Sequence, residues 1–126
     1  MVLIFGGAYQ GKLTYALGRF ELGEHNVYRC DGEDIGMPCG KDIVYEIDKW
    51  ILALVRAEMD VADNVRKFIA VNEDVAVICN DISCGIVPTD RVLRKWREET
   101  GRAMAVLANH SQEVVRLFCG IATKVK

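Results

Sequence analysis

The chain opens with the apolar run Val2-Leu3-Ile4-Phe5, which breaks into Gly6-Gly7-Ala8-Tyr9-Gln10-Gly11-Lys12. No other stretch constrains the fold as much. A short continuous apolar run bounded by glycine is the pattern of a strand buried on both faces. From Lys12 to about Leu22 the apolar residues Leu13, Ala16, Leu17 and Phe20 recur at helical spacing, and Gly23 ends the segment. The order is strand, glycine loop, helix, and Gly6, Gly11 and Lys12 satisfy the spacing G-x-x-x-x-G-K of a phosphate-binding loop. Successive backbone N–H groups in such a turn form a concave anion site. The amino end of the following helix adds free N–H groups and a positive dipole end. Gly6, Gly7, Ala8, Tyr9, Gln10, Gly11, Lys12, Leu13 and Thr14 are therefore the candidate nucleotide-binding residues. Lys12 is the candidate catalytic ammonium on the outer phosphates.

The residue after the lysine normally supplies a hydroxyl to magnesium, and here it is Leu13. Thr14 is adjacent, but one helical step rotates a side chain by ~100°, so it is not a direct replacement. The phosphate cradle reads as intact and the metal arm as altered. The alternative is that the glycines only make a tight strand-to-helix turn.

At 126 residues the length suits one domain with a single sizeable core. Hydrophobic residues make up 51% and charged residues 27%, as in ordinary globular chains. A net charge of −2 offers no basic field for nucleic acid. No apolar run approaches the ~20 residues that span a bilayer, and the N-terminal run lacks the basic flank of a signal peptide. Cysteines at 30, 39, 79, 84 and 119 form no C-x-x-C pair. This pattern suits a reduced, cytoplasmic protein better than a disulfide framework. Cys79 and Cys119 read as small hydrophobes in strands, whereas Cys30 and Cys39 flank a loop and are expected to be exposed.

Further along, Val27–Cys30 reads as a strand and Asp31–Gly40 as a loop. Ile43, Ile47, Trp50, Ile51, Leu54 and Val55 follow a helical period, which favours a helix from Asp42, as N-cap, to about Glu58. The β-branched start Ile43-Val44-Tyr45 leaves a strand open there. A helix is expected over Val61–Val71, a buried strand over Val75–Cys79 and a loop over Asn80–Pro88. A long helix capped by Thr89 or Asp90 runs to about His110, with Val92, Leu93, Trp96, Thr100, Ala103, Met104 and Leu107 as its apolar stripe. Arg94 and Arg97 fall on its exposed side. Val114–Cys119 is the last main strand, and Lys124–Lys126 a short edge piece. Alternating strands and helices predict an α/β, three-layer domain of the P-loop NTPase type with a mostly parallel sheet. Ligands in such sheets lie at the carboxyl ends of the strands, so Gly6–Lys12 and Asn80–Gly85 should share one rim.

The second half contains Asn80-Asp81, then Gly85-Ile86-Val87-Pro88, Gly101-Arg102, Gly120-Ile121 and a final Lys126. Together with the Gly6-Gly7-Ala8 and Gly11-Lys12 loop, this resembles the adenosylcobinamide kinase/adenosylcobinamide-phosphate guanylyltransferase family of cobalamin biosynthesis. The resemblance implies GTP or ATP as nucleotide, Mg2+ as cofactor and a cobinamide-type alcohol as acceptor. It also implies a homo-oligomer, with a trimer as one form. Three departures stand out. The family's loop serine is Leu13, its Asn-Glu is Asn80-Asp81, and its strand-end Asp aligns with Tyr45 if Trp50 matches the family's Trp. Its longer middle, with the histidine that accepts GMP, has no counterpart here, because His25 precedes a strand and His110 ends a helix. The resemblance therefore implies a kinase rather than a guanylyltransferase, or a non-catalytic relative serving as a nucleotide-binding or assembly module.

Asp81 is the second candidate catalytic residue and the candidate metal ligand. A turn role, capping Ser83, is the alternative. Asp31, Glu33 and Asp34 read as a solvated acidic loop. Trp50 and Trp96 read as packing residues.

Overall fold

The computed structural model describes residues 1–8, 11–82 and 89–126. Along the chain come β1 (Val2–Gly6), α1 (Lys12–Arg19), a 3₁₀ turn at Glu24–Asn26, β2 (Val27–Arg29) and β3 (Ile43–Tyr45). There follow α2 (Ile47–Arg56), α3 (Val61–Val71), β4 (Ala76–Asn80), α4 (Arg91–His110), β5 (Glu113–Phe118) and β6 (Ile121–Lys124). The strands form one six-stranded sheet in the order β2-β3-β4-β1-β5-β6. All pairings are parallel except β5 with β6. This is the expected α/β architecture of the P-loop type.

Side chains alternate across the sheet, and each face collects its own core. Leu3, Val44, Val77, Cys79 and Val114 pack against Trp50, Ile51 and Leu54 of α2, Val65 and Phe68 of α3, and Ala103 and Leu107 of α4. On the other face Ile4, Ile43, Ala76, Ile78 and Val115 meet Ala16 of α1, flanked by Leu13, Leu17 and Phe20. One side thus carries three helices and the other, among the described residues, only α1.

Several boundaries differ from the sequence expectation. Ile43–Tyr45 is a strand and α2 starts at Ile47, with Glu46 rather than Asp42 at its N-cap. The reason is pairing: Ile43 and Val44 lie in register with Ala76 and Val77 of β4, and both are fully buried. Glu46 makes the break by adopting left-handed backbone, φ 59° and ψ 56°. Helix α1 ends at Arg19, short of Leu22. Helix α3 spans the expected Val61–Val71, with the Asp60 carboxylate accepting the Asp63 N–H at 3.0 Å. For α4 the cap is Asp90, whose Oδ1 accepts from Val92 N at 2.8 Å and Leu93 N at 3.1 Å. Val92 and Leu93 are exposed rather than part of the buried stripe, and Arg97 is half-buried. The edge piece begins at Ile121, earlier than expected. Cys119 and Gly120 form its hairpin turn at φ 51° and 76°, so Cys119 is exposed and outside any strand. Cys30 is buried instead of exposed, while Cys39 is exposed as expected. No helix among the described residues is long and apolar enough to cross a membrane.

Candidate functional site

The register of the central strands builds the rim. Gly6 at the end of β1 lies opposite Asn80 at the end of β4, and the Asp81 N–H donates to the Gly6 carbonyl at 2.7 Å. An added Cβ on Gly6 would stand 2.3 Å from the Leu117 carbonyl oxygen of β5. Glycine is therefore required there by the close approach of two strands. At the far end of the loop, Gly11 caps α1 with φ 82°, a left-handed conformation that glycine adopts without cost.

Lys12 is the first residue of α1 and is only 4% exposed. Its Nζ donates to the Gly7 carbonyl at 2.5 Å, closing the loop on itself. Burial pushes the Lys12 pKa down, while the nearby negative charges of Asp48 and Glu46 push it up. An anion arriving at the loop would offer this ammonium a charged acceptor in place of a neutral carbonyl.

A cleft of ≈ 850 Å³ opens above the rim, lined by Ala8, Gly11, Lys12, Leu13, Thr14, Tyr45, Glu46, Asp48, Lys49, Asn80, Asp81, Ile82 and Trp96. The structure thus gathers Ala8, Gly11, Lys12, Leu13, Thr14 and Asp81 in one place, with Gly6 beneath them in the strand. Tyr9 and Gln10 lie outside the described residues, as do Ser83 and the Gly85–Pro88 segment. Leu13 reaches the cleft but also packs on the α1-side core, whereas Thr14 is exposed at the cleft. Asp31 and Asp34 brace their own loop, accepting from Glu33 N and Gly36 N at 2.8 Å each. Trp50 is core, as expected. Trp96 is half-buried and lines the cleft, its Nε1 donating to the Asp48 carbonyl at 2.6 Å.

Two acids that sequence reasoning passed over line the cleft. Glu46, one residue beyond Tyr45, accepts from Asn80 Nδ2 at 2.9 Å and pairs with Lys49 Nζ at 3.2 Å. Asp48, 2% exposed, accepts from Asn80 N at 3.0 Å and from Asn80 Nδ2 at 3.3 Å. Burial raises the Asp48 pKa above the usual carboxylate range, and the Asn80 hydrogen bonds partly offset that shift. The available signal was the acidic pair Glu46 and Asp48 beside Trp50, masked by the helical reading of 42–47. Among the described residues no group of three or more His, Cys, Asp or Glu is arranged to hold a metal. A magnesium ion carried by nucleotide phosphates needs only one or two carboxylates; Glu46 and Asp81 both line the cleft.

A sequence model described as cobinamide kinase / cobinamide phosphate guanyltransferase matches residues 41–125. The chain belongs to that family. The cobinamide kinase / guanyltransferase match begins after the glycine loop and takes in Glu46, Asp48, Asn80, Asp81 and Trp96. It ties the chain to cobalamin biosynthesis and to a kinase- or transferase-like relative. No curated protein sequence matches the chain.

Proposed function

We propose that this family member binds GTP or ATP through the Gly6–Thr14 loop and transfers the γ-phosphoryl group to an alcohol of the cobinamide type. The observation that carries the reading is the buried Lys12 at the head of α1, lining one cleft together with Glu46, Asp48 and Asp81. Phosphoryl transfer asks for positioning and charge stabilisation rather than covalent chemistry by the protein. Lys12 and the loop amides hold the phosphates. Glu46 and Asp81 are the carboxylates that would hold Mg2+, which supplies charge neutralisation between the phosphates. The acceptor oxygen forms its bond to the γ-phosphorus as the bond to the bridging oxygen breaks. The nucleoside diphosphate leaves with that electron pair, and the hydroxyl proton passes to a rim carboxylate. Guanylyl transfer is outside this proposal, since among the described residues neither His25 nor His110 lines the cleft.

A second reading is favoured by one observation: Leu13 packs on the core where a metal-binding hydroxyl is needed. On that reading the chain binds nucleotide without turning it over and serves as a binding or assembly module. Calorimetric titration with GTP and ATP, with and without magnesium, separates the two. Magnesium-dependent tight binding supports the kinase, and weak binding indifferent to magnesium supports the module. Absence of binding by either nucleotide refutes both. A Leu13→Ser replacement that increases magnesium dependence would locate the altered metal arm.

A further inference from the structure

We propose that Asp48 is a positioning residue that, through the Asn80 side chain, fixes where the Glu46 carboxylate stands in the cleft it shares with Lys12. The inference rests on the nucleotide-binding reading above. Asp48 does not offer itself to a ligand: it is 2% exposed, and both its oxygens accept from Asn80, Oδ1 from the backbone N–H and Oδ2 from the amide. The same amide nitrogen donates its other hydrogen to Glu46 Oε2 at 2.9 Å. Asn80 is therefore a bridge with one end clamped from below and the other holding the cleft carboxylate. Lys49 steadies Glu46 from the solvent side, and the Trp96 indole locks the Asp48 backbone at 2.6 Å.

The chemistry explains why a carboxylate is kept in so buried a place. An ionised carboxylate is acceptor-only, so it takes both hydrogens that Asn80 directs at it. An amide at position 48 would still accept the Asn80 backbone N–H, but it would turn its NH2 toward the Asn80 NH2. Flipping the Asn80 amide relieves that clash and then points its oxygen at Glu46, acceptor against acceptor. Flipped, the Glu46 contact is lost; unflipped, it is held by an amide pushed back by a facing donor; the backbone clamp survives in both. A residue whose burial is costly, yet whose full acceptor capacity serves a group facing a cleft, fits a functional arrangement better than a packing one.

The test is the magnesium-dependent part of nucleotide affinity in the full chain, measured calorimetrically with the tighter-binding of GTP and ATP. Asp48→Asn should lower the gain in affinity on adding magnesium by about tenfold, the scale of a hydrogen bond to a charged group. Affinity without magnesium should change less than affinity with it, and most clearly so in Asn80→Ala, which leaves both acids near Lys12 in place. Asn80→Ala removes only the side-chain bridge and should reproduce the loss, which covers the case of a poorly folded Asp48→Asn. Glu46→Gln should cause the same loss, and Asp48→Asn combined with Glu46→Gln no more than either singly. Equal weakening with and without magnesium, or losses that add, overturns the positioning role. Wild-type binding that ignores magnesium overturns it while leaving nucleotide binding standing. Wild type that binds no nucleotide refutes the nucleotide reading itself.

Discussion

Replacing Gly6 by alanine tests how the rim is built. The new Cβ would lie 2.3 Å from the Leu117 carbonyl oxygen and 3.3 Å from its carbon. Both atoms are backbone, so no side chain can swing aside, and β1 and β5 must part at their carboxyl ends. Overpacking of a rigid site costs about 3 kcal/mol, which for a chain of this size lowers the melting temperature by roughly 10 °C. Gly11→Ala is the natural comparison. Its Cβ meets only Leu117 Cδ2, at 3.9 Å, so its cost is the left-handed backbone at φ 82°, about 1 kcal/mol. The two sites should also respond oppositely to asparagine, which tolerates left-handed backbone. Gly11→Asn should be milder than Gly11→Ala, and Gly6→Asn at least as harmful as Gly6→Ala. Urea unfolding followed by fluorescence of the buried Trp50 measures all four. A Gly6→Ala variant within about 0.5 kcal/mol of the parent would refute the close-approach argument, as would a Gly11→Asn variant less stable than Gly11→Ala.

Three further outcomes are expected. The Arg19 guanidinium, 2.6 Å from Glu113, holds the Glu113 carboxyl below its usual range. Its folded pKa is thus below its unfolded one, so the pair's stabilisation is present above the unfolded value and is lost as pH falls through the folded value. With side chains 30% and 23% exposed, Glu113→Gln should cost at most about 1 kcal/mol at neutral pH and nothing in acid; a pH series of urea unfolding curves in which the difference stays constant contradicts this. Asp90→Ala removes the acceptor for two N–H groups at the start of α4 and should destabilise the chain by about 1 kcal/mol, read by thermal unfolding. Burial pushes the Cys30 thiol up to about 12 and that of Cys79 well above its ordinary value. In a timed thiol-labelling experiment read by peptide mass, Cys39 and Cys119 should therefore react in the native protein, and Cys30 and Cys79 only after unfolding.

Helix α3 was legible from the sequence because cap, period and length agree: Asp60 caps it, and Val61, Val65 and Phe68 repeat along one face. Strand β1 and the loop after it were legible because glycine marks the turn. The stretch from Ile43 to Trp50 was not, because two periods overlap there. Ile43 and Ile47 sit at helical spacing, while Ile43-Val44-Tyr45 favours an extended chain, and the boundary falls on Glu46 in left-handed backbone, where no glycine marks it. That misreading hid Glu46 and Asp48. Their meeting with Asn80 is created by β3 pairing with β4 across more than thirty residues, a contact that no local pattern encodes. Cys30 and Cys119 exchanged their expected environments for a similar reason: neighbours in space, not in sequence, decide which end of a strand is covered.

Because α1 alone among the described helices shields its side of the sheet, the segment that presents the loop's amide ends is also a roof. Loosening it would uncover Ile4, Ile43, Ile78 and Val115 together. Whatever docks at the mouth of that helix and ignores the denatured chain therefore adds directly to the melting point, in proportion to the logarithm of its concentration over its dissociation constant. Thermal-shift screening of phosphate-bearing compounds should accordingly be an unusually sensitive way to search for this protein's ligands.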